Sequence, residues 1–261
     1  MTLLKHELSQ GKQMLLIWTA VIAGLLAVCI FIYPEMKEEM NDMSQMFSNM
    51  GSFSSAFGMD KINFGEFLGF FSVECGNVLG LGGALFAALL GISSLAKEES
   101  EQTAEFLLTH PIQRSSVVLQ KFFALLLQIF ILNAIVVLVT LLSIYGIGES
   151  PDAKILALLF LAYFILQIEI AAVCFGISAF LSGRGSGVGL GIAVLLYFFN
   201  ILANLTEKMD FLKYITPFGY TEGADIIAEG SLNLSYLSAG LIAAIIGITA
   251  AFYRYEKKDI A

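Results

Sequence analysis

Apolar residues in this chain do not alternate with polar ones; they gather into long runs. Six such runs are legible, at about 14–33, 68–95, 118–145, 155–181, 188–205 and 234–253. A nearly uncharged run of about 18 residues or more is long enough to cross the ~30 Å hydrocarbon layer as a helix. A helix also satisfies its own backbone hydrogen bonds where no water can. The predicted fold is therefore an all-α membrane protein with six transmembrane helices, forming a single membrane domain over residues 1–261. Pro34-Glu35 follows the first run without a small-x-small cleavage site, so that run is expected to be a retained span and not a removed signal peptide.

The polar stretches between the runs carry further expectations. In residues 1–13, Leu3, Leu4 and Leu8 oppose Lys5 and Lys12, which predicts an amphipathic helix lying in the membrane interface. Residues 34–67 are rich in Met, Ser, Phe and Gly and lack strand alternation, which suits a short helix at the surface. Residues 206–233 contain Pro217 and several glycines. They are too broken to span and apolar enough to dip into the membrane, so a helical or re-entrant segment is expected before the last span.

The most polar long stretch is "KEESEQTAEFLLTHPIQRSSVVLQK", Lys97 to Lys121. Within it Ala104, Leu107 and Leu108 fall at i, i+3 and i+4, opposite Glu101, Gln102 and Glu105, the pattern of a short amphipathic helix. Pro111 ends that helix, because a residue before proline is pushed out of the helical region. A new helix then starts near Arg114 and runs into the third span. Residues 97–117 thus read as a helix-break-helix elbow. Turning a chain between two spans takes only a handful of residues, and the surplus points to docking on a partner.

Charge sets the orientation. The chain is 57% hydrophobic and 14% charged, where a soluble domain carries about 25% charged residues. With both termini and the elbow on one side, nine Lys and Arg fall on that side and five on the other. The positive-inside rule then makes the termini cytoplasmic. Acidic residues are biased the other way, thirteen outside and seven inside, with Glu74 and Glu169 within spans. Cys29, Cys75 and Cys174 each lie inside an apolar run, so no disulfide framework is implied.

Several chemistries lack their residues. Gly11-Lys12 is followed by Gln13 and has no glycine five positions earlier, so the chain has no phosphate-cradling loop. It has no HExxH and no CxxC, and His6 and His110 are far apart, so no metal site and no bound cofactor are expected. "GRGSGVGLG" lacks the strand a dinucleotide fingerprint requires. Gly183, Gly187 and Gly191 instead form a stripe of small residues for close helix packing, and a dimer contact along the first and fifth spans is expected from it. Gly76, Gly80, Ala84 and Ala88 repeat the spacing in the second span. Asn204-Leu-Thr206 and Asn233-Leu-Ser235 match the glycosylation pattern but hug the membrane, which argues against use. The intramembrane carboxylates Glu74 and Glu169, with Gln128 and Asn133 nearby, are the candidates for a substrate path, since a carboxylate within a span is costly and by default faces the bundle interior. The alternative is an interhelical tie.

The elbow resembles a segment found in permease subunits of type-2 ABC exporters, of the form acidic-x-Gly/Thr-x-Glu-Leu-Leu-Leu-x-x-Pro-Ile/Val-x-Arg, with a Lys about seven residues on. Glu101, Thr103, Glu105-Phe106-Leu107-Leu108, Pro111, Arg114 and Lys121 occupy the matching positions, with Gln102 where a Gly is common. The layout of six spans, the outer "ITPFGY" and the basic tail "YRYEKKDIA" agree with it. The resemblance implies a coupling helix at the elbow that meets a cytoplasmic ATP-binding-cassette ATPase through Glu101, Thr103, Glu105, Phe106, Leu107, Leu108, His110, Pro111 and Arg114. It implies pairing with a second permease subunit, identical or different. ATP and Mg would belong to the ATPase, and the setting would be the plasma membrane of a prokaryote. The implied function is outward movement of a substrate, which the apolar spans suggest is hydrophobic or amphipathic, with no enzymatic activity in this chain and no nucleic acid involved. A stand-alone secondary transporter would call for inverted repeats or Gly/Pro-broken spans in matched positions, and no convincing repeat is present. An accessory membrane subunit is the remaining alternative.

Overall fold

The computed structural model describes residues 2–49, 54, 62–63, 65–97, 113–181, 183 and 185–257, and all regular structure among them is helical. The helices are α1 (Thr2–Asn49), α2 (Phe67–Cys75), α3 (Gly82–Ser93), α4 (Arg114–Ile147), α5 (Ala153–Ser178), α6 (Ser186–Leu205), α7 (Gly223–Glu229) and α8 (Leu234–Lys257). A π-helical stretch, Gly76–Leu81, joins α2 to α3 into one span. Two 3-10 turns, Glu207–Tyr214 and Pro217–Tyr220, lie between α6 and α7. Six helices are long and apolar enough to cross a membrane, and they coincide with the six apolar runs.

Two expected breaks do not occur. Residues 2–13 are the first turns of α1 and not a separate helix. The amphipathic split survives there: Leu3 is buried, while Lys5 and Lys12 are exposed. The helix also runs through Pro34 to Asn49. Proline removes one backbone hydrogen bond and crowds the preceding turn. Here the neighbouring turn is held from outside: Tyr33 is fully buried between Phe67 and Phe70, and its hydroxyl donates to the Gly65 carbonyl at 2.9 Å.

The span formed by α4 begins where Gln113, in extended backbone, accepts the first helical bonds, and ends at Gly148, whose φ of 75° suits a residue without Cβ. Asp152 starts α5 by accepting from the Lys154 amide at 2.7 Å. α5 is the bundle's centre, flanked by α3 and α8, while α4 packs along α1 and α6 against α3. Apolar attraction gives helices in lipid little reason to associate, so close backbone approach matters. A Cβ on Gly176 of α5 would lie 2.5 Å from the Gly247 carbonyl of α8, and one on Gly91 of α3 would strike the Ala171 carbonyl of α5. The second and fourth spans are mostly buried, whereas the sixth presents Ile242, Ile245 and Ile246 outward. With an even number of spans, both termini lie at one end of the bundle. The 3-10 turns and α7 lie at the other.

Candidate functional site

At the end of the bundle that carries the termini, the chain passes from α3 to α4 through the elbow. Glu101, Thr103, Glu105, Phe106, Leu107, Leu108, His110 and Pro111 lie outside the described residues. Both flanks of the elbow are described. Lys121, in the second turn of α4, is almost fully buried. It pairs with Glu7 of α1 at 2.9 Å and donates to the Ser94 carbonyl at 2.8 Å. Ser94 caps the C-terminus of α3, where carbonyls lack intrahelical partners and the helix dipole favours a cation. One side chain thus ties the entry of α1, the exit of α3 and the start of α4. Lys97 donates to the side-chain oxygen of Gln10, a second tie from the elbow flank to α1. On the far flank, Arg114 donates through Nη1 to the Glu256 carbonyl at 3.1 Å, near the end of α8.

Between these ties lies a cavity of about 350 Å³, walled by Glu7, Gln10, Lys97, Lys121, Gln128 and Ser186, among others. Among the described residues no group of three or more His, Cys, Asp and Glu gathers to hold a metal. Short polar links thus join the two flanks of the elbow to α1 and α8. Residues 1–260 match the family model described as "ABC-2 family transporter protein".

The chain belongs to the ABC-2 family of transporters. No curated protein matches the sequence. As an ABC-2 permease it is a multi-pass membrane component of a transport system. Its spans carry several polar groups.

Those groups do not gather in one place. Glu169 is buried at the junction of α5, α8 and the 3-10 turn, where the Tyr220 hydroxyl donates to its Oε2 at 2.8 Å. The approach is close enough that any side chain at Gly240 would collide with it. Asn133 of α4 and Gln167 of α5 form an amide pair, with Asn133 Nδ2 donating at 2.7 Å. Glu74 accepts from the Cys29 thiol at 3.6 Å and is half-buried. Gln128 abuts Gly11 and is the one of the four candidates that lines the cavity at the elbow. A Cβ added at Gly183, Gly187 or Gly191 would meet no atom within 4 Å among the described residues, so their stripe packs against no described element. Gly185 and Gly189 instead meet Ile92 of α3. In the second span, Gly76 and Gly80 do pack, both against the Tyr163 ring.

A second polar cluster lies at the end opposite the termini, around the turn that holds "ITPFGY". Glu222 accepts on one oxygen from Asn200 at 2.5 Å and from Asn204 at 2.7 Å, both on α6. Tyr163 of α5 donates to the Thr221 carbonyl at 3.1 Å, and Thr216 donates to the Leu196 carbonyl at 2.7 Å. Burial pushes the Glu222 carboxyl above its ordinary range, opposed by the two amides. Burial, then the neighbouring Glu169, pushes the Tyr220 hydroxyl up as well. Asn204, the acceptor position of one glycosylation pattern, therefore has its amide committed inside the protein. The sequence signals that pointed to the clusters were the outer "ITPFGY", which holds Thr216 and Tyr220, and, in the elbow motif, Arg114 and Lys121. Glu7, the partner of Lys121, lies over a hundred positions away and carries no pattern.

Proposed function

We propose that this chain is the membrane-spanning permease of an ATP-driven exporter, carrying a hydrophobic or amphipathic substrate outward with energy from a separate ATPase. The observation that carries the proposal is the anchoring of both elbow flanks, by Lys97, Lys121 and Arg114, to α1, α3 and α8. A connector that only turns the chain around needs no such links. A lever driven by a soluble partner does, because motion at the elbow must reach the spans as rigid displacement. In this reading an ATP-binding-cassette ATPase, holding ATP and Mg, accepts the short amphipathic helix in a groove. Phe106 and Leu107 or Leu108 are the anchors, and Glu101 and Glu105 meet basic residues at the rim. The termini and the elbow face the cytoplasm, as the Lys and Arg distribution favours. The ions at Lys121 and Glu7 are then part of the transmission, and Glu169 with Tyr220 ties the outer segment to the same bundle.

A second permease copy completes the transporter in this proposal. The exposed stripe of Gly187 and Gly191 on α6, together with the outward apolar face of α1 (Leu16, Ile17, Val21), supports that contact. Gly187→Leu is expected to weaken subunit association, read by cross-linking and native mass; an unchanged oligomer with unchanged activity removes the dimer face. The main test is pull-down of a co-expressed ATP-binding-cassette ATPase, with coupled transport, for Phe106→Ala combined with Leu107→Ala. Loss of both capture and transport, with membrane insertion intact, is the expected result. Wild-type levels of both make the elbow a plain connector. Transport by the purified chain alone, driven by an ion gradient, rejects the ATP-driven reading altogether.

A further inference from the structure

The polar cluster at the end opposite the termini encloses a cavity of about 60 Å³, between α2, the π-helical stretch, α5, α6 and the Pro217–Gly223 turn. We propose that this cavity binds the protonated amine of a short alkylammonium group, with Glu222 as its counter-charge. Three independent features of the wall point to that chemistry.

The first is the direction of the hydrogen bonds. The hydroxyls in the wall commit their protons elsewhere. Ser72 donates to the Gly69 carbonyl at 2.9 Å, Tyr163 to the Thr221 carbonyl at 3.1 Å, and Thr221 to the Phe218 carbonyl at 2.9 Å. A carbonyl can only accept, so these three assignments follow from the chemistry of the pair. Tyr197 donates to Asn77 at 3.3 Å in the same way. What these groups have left is lone pairs. Asn200 donates from Nδ2 to Glu222, and its carbonyl oxygen is buried with no partner among the described residues. The wall's hydroxyls and the Asn200 oxygen therefore present acceptors, beside the amide group of Asn77, and a ligand with several N–H groups matches them. A primary ammonium carries three.

Charge is the second feature. Among the described residues no basic side chain pairs with Glu222. Lys213, the cation that reaches it through space, is 3.3 Å from Asp210. Neutral amides hold the carboxylate but do not neutralise it, and burial disfavours an uncompensated charge. The upward displacement of the Glu222 carboxyl agrees with an acid that lacks a cation.

The third is the remainder of the wall, where Ile62, Val73, Ile201 and Phe218 stand opposite the polar groups, beside the rings of Tyr163 and Tyr197. A bare metal ion has no use for such a surface. An alkyl stem does, and aromatic faces attract an ammonium through their quadrupoles. The size agrees. At roughly 10–15 Å³ per water-sized group, the cavity has room for about four to six such groups. That fits an ammonium with a chain of about three carbons, or the head of a longer amine whose tail leaves through the mouth. The π-helical stretch contributes by placing Gly76 and Gly80 against Tyr163, and such stretches recur at functional sites.

The test uses the purified full-length permease in nanodiscs without an ATPase, so its outcome is separate from that of coupling. Propylammonium chloride is titrated by saturation-transfer NMR, beside 1-propanol and sodium chloride at matched ionic strength. The expected result is saturable propylammonium binding, at least tenfold tighter than 1-propanol and not displaced by sodium. Glu222→Gln keeps the acceptor for Asn200 and Asn204 but removes the charge, and it should weaken propylammonium tenfold or more while leaving 1-propanol unchanged. Ile201→Trp fills the cavity from a wall position that makes none of these hydrogen bonds, and it should abolish binding even if Glu222→Gln does not fold. Absence of saturable binding, equal affinity for propanol, or full binding by the folded Ile201→Trp protein each overturns the proposal.

Discussion

The two ends of the bundle hold their buried charge in opposite ways. At the elbow end, Lys121 meets a carboxylate and a helix-terminal carbonyl, so charge is matched by charge. At the other end, Glu222 meets only neutral amides, and Glu169 a single tyrosine hydroxyl. A matched ion pair resists being opened, because separating it leaves a bare charge in a poor solvent. An acid held by neutral donors can instead take up a proton or a cation without losing its scaffold. The difference teaches which end transmits force and which end can respond to what it binds.

Breaking the matched end should have the largest effect. Lys121→Met leaves Glu7 and the Ser94 carbonyl without their shared cation. A loss of about 3 kcal/mol is expected, at the low end for a buried pair because Glu7 is partly open to water. Calorimetry or a thermal-shift assay in detergent gives the number. Pairing the change with Glu7→Gln should recover much of it, since no bare carboxylate then remains. If the double variant melts no higher than the single one, the pair does not act as a unit.

Next in size is Tyr220→Phe, which takes away the hydroxyl that donates to the buried Glu169. Leaving such an acceptor without a donor costs about 1–3 kcal/mol. Glu169→Gln should cost less, because a glutamine oxygen still accepts from Tyr220. The two melting temperatures, measured side by side, rank the neutral donor against the charge it serves, and a reversed order contradicts the assignment. Asn204→Ala should be smaller again, about 1 kcal/mol, since Asn200 still donates to Glu222 and the site is partly open.

Legibility in the sequence followed the same divide between local and long-range information. The six spans were readable because each is a continuous apolar run, and hydrocarbon thickness sets its length. The passage of α1 through Pro34 was not, because what stabilises it, Tyr33 against Phe67 and Phe70, comes from a different helix. Glu169 announced itself as a carboxylate in an apolar run. Glu222 did not: it stands in a polar loop where acids are ordinary, and only folding brings Asn200 and Asn204 onto it. The glycine stripes show both outcomes. Gly76 and Gly80 found Tyr163, while Gly187 and Gly191 meet no helix among the described residues, although the spacing is identical.

The smallest expected effect is also the one that separates the two ends most cleanly, because it is read by pH. The folded-state pKa of Glu222 is raised, chiefly by burial, with Asp225 adding repulsion and Lys213 opposing it. A raised acid favours the folded state in its protonated form, so its ionisation penalises the fold above that raised pKa. The penalty is relieved as pH falls from there towards the ordinary carboxylate value of 4.5. Glu222→Gln carries no such titration. The melting temperature of the wild type should therefore gain on that of Glu222→Gln as pH is lowered through this window, with other acids common to both proteins cancelling in the difference. A difference between wild type and Glu222→Gln that stays flat with pH would mean that the two amides already hold the acid ionised throughout, and that the ends are alike in how they hold charge.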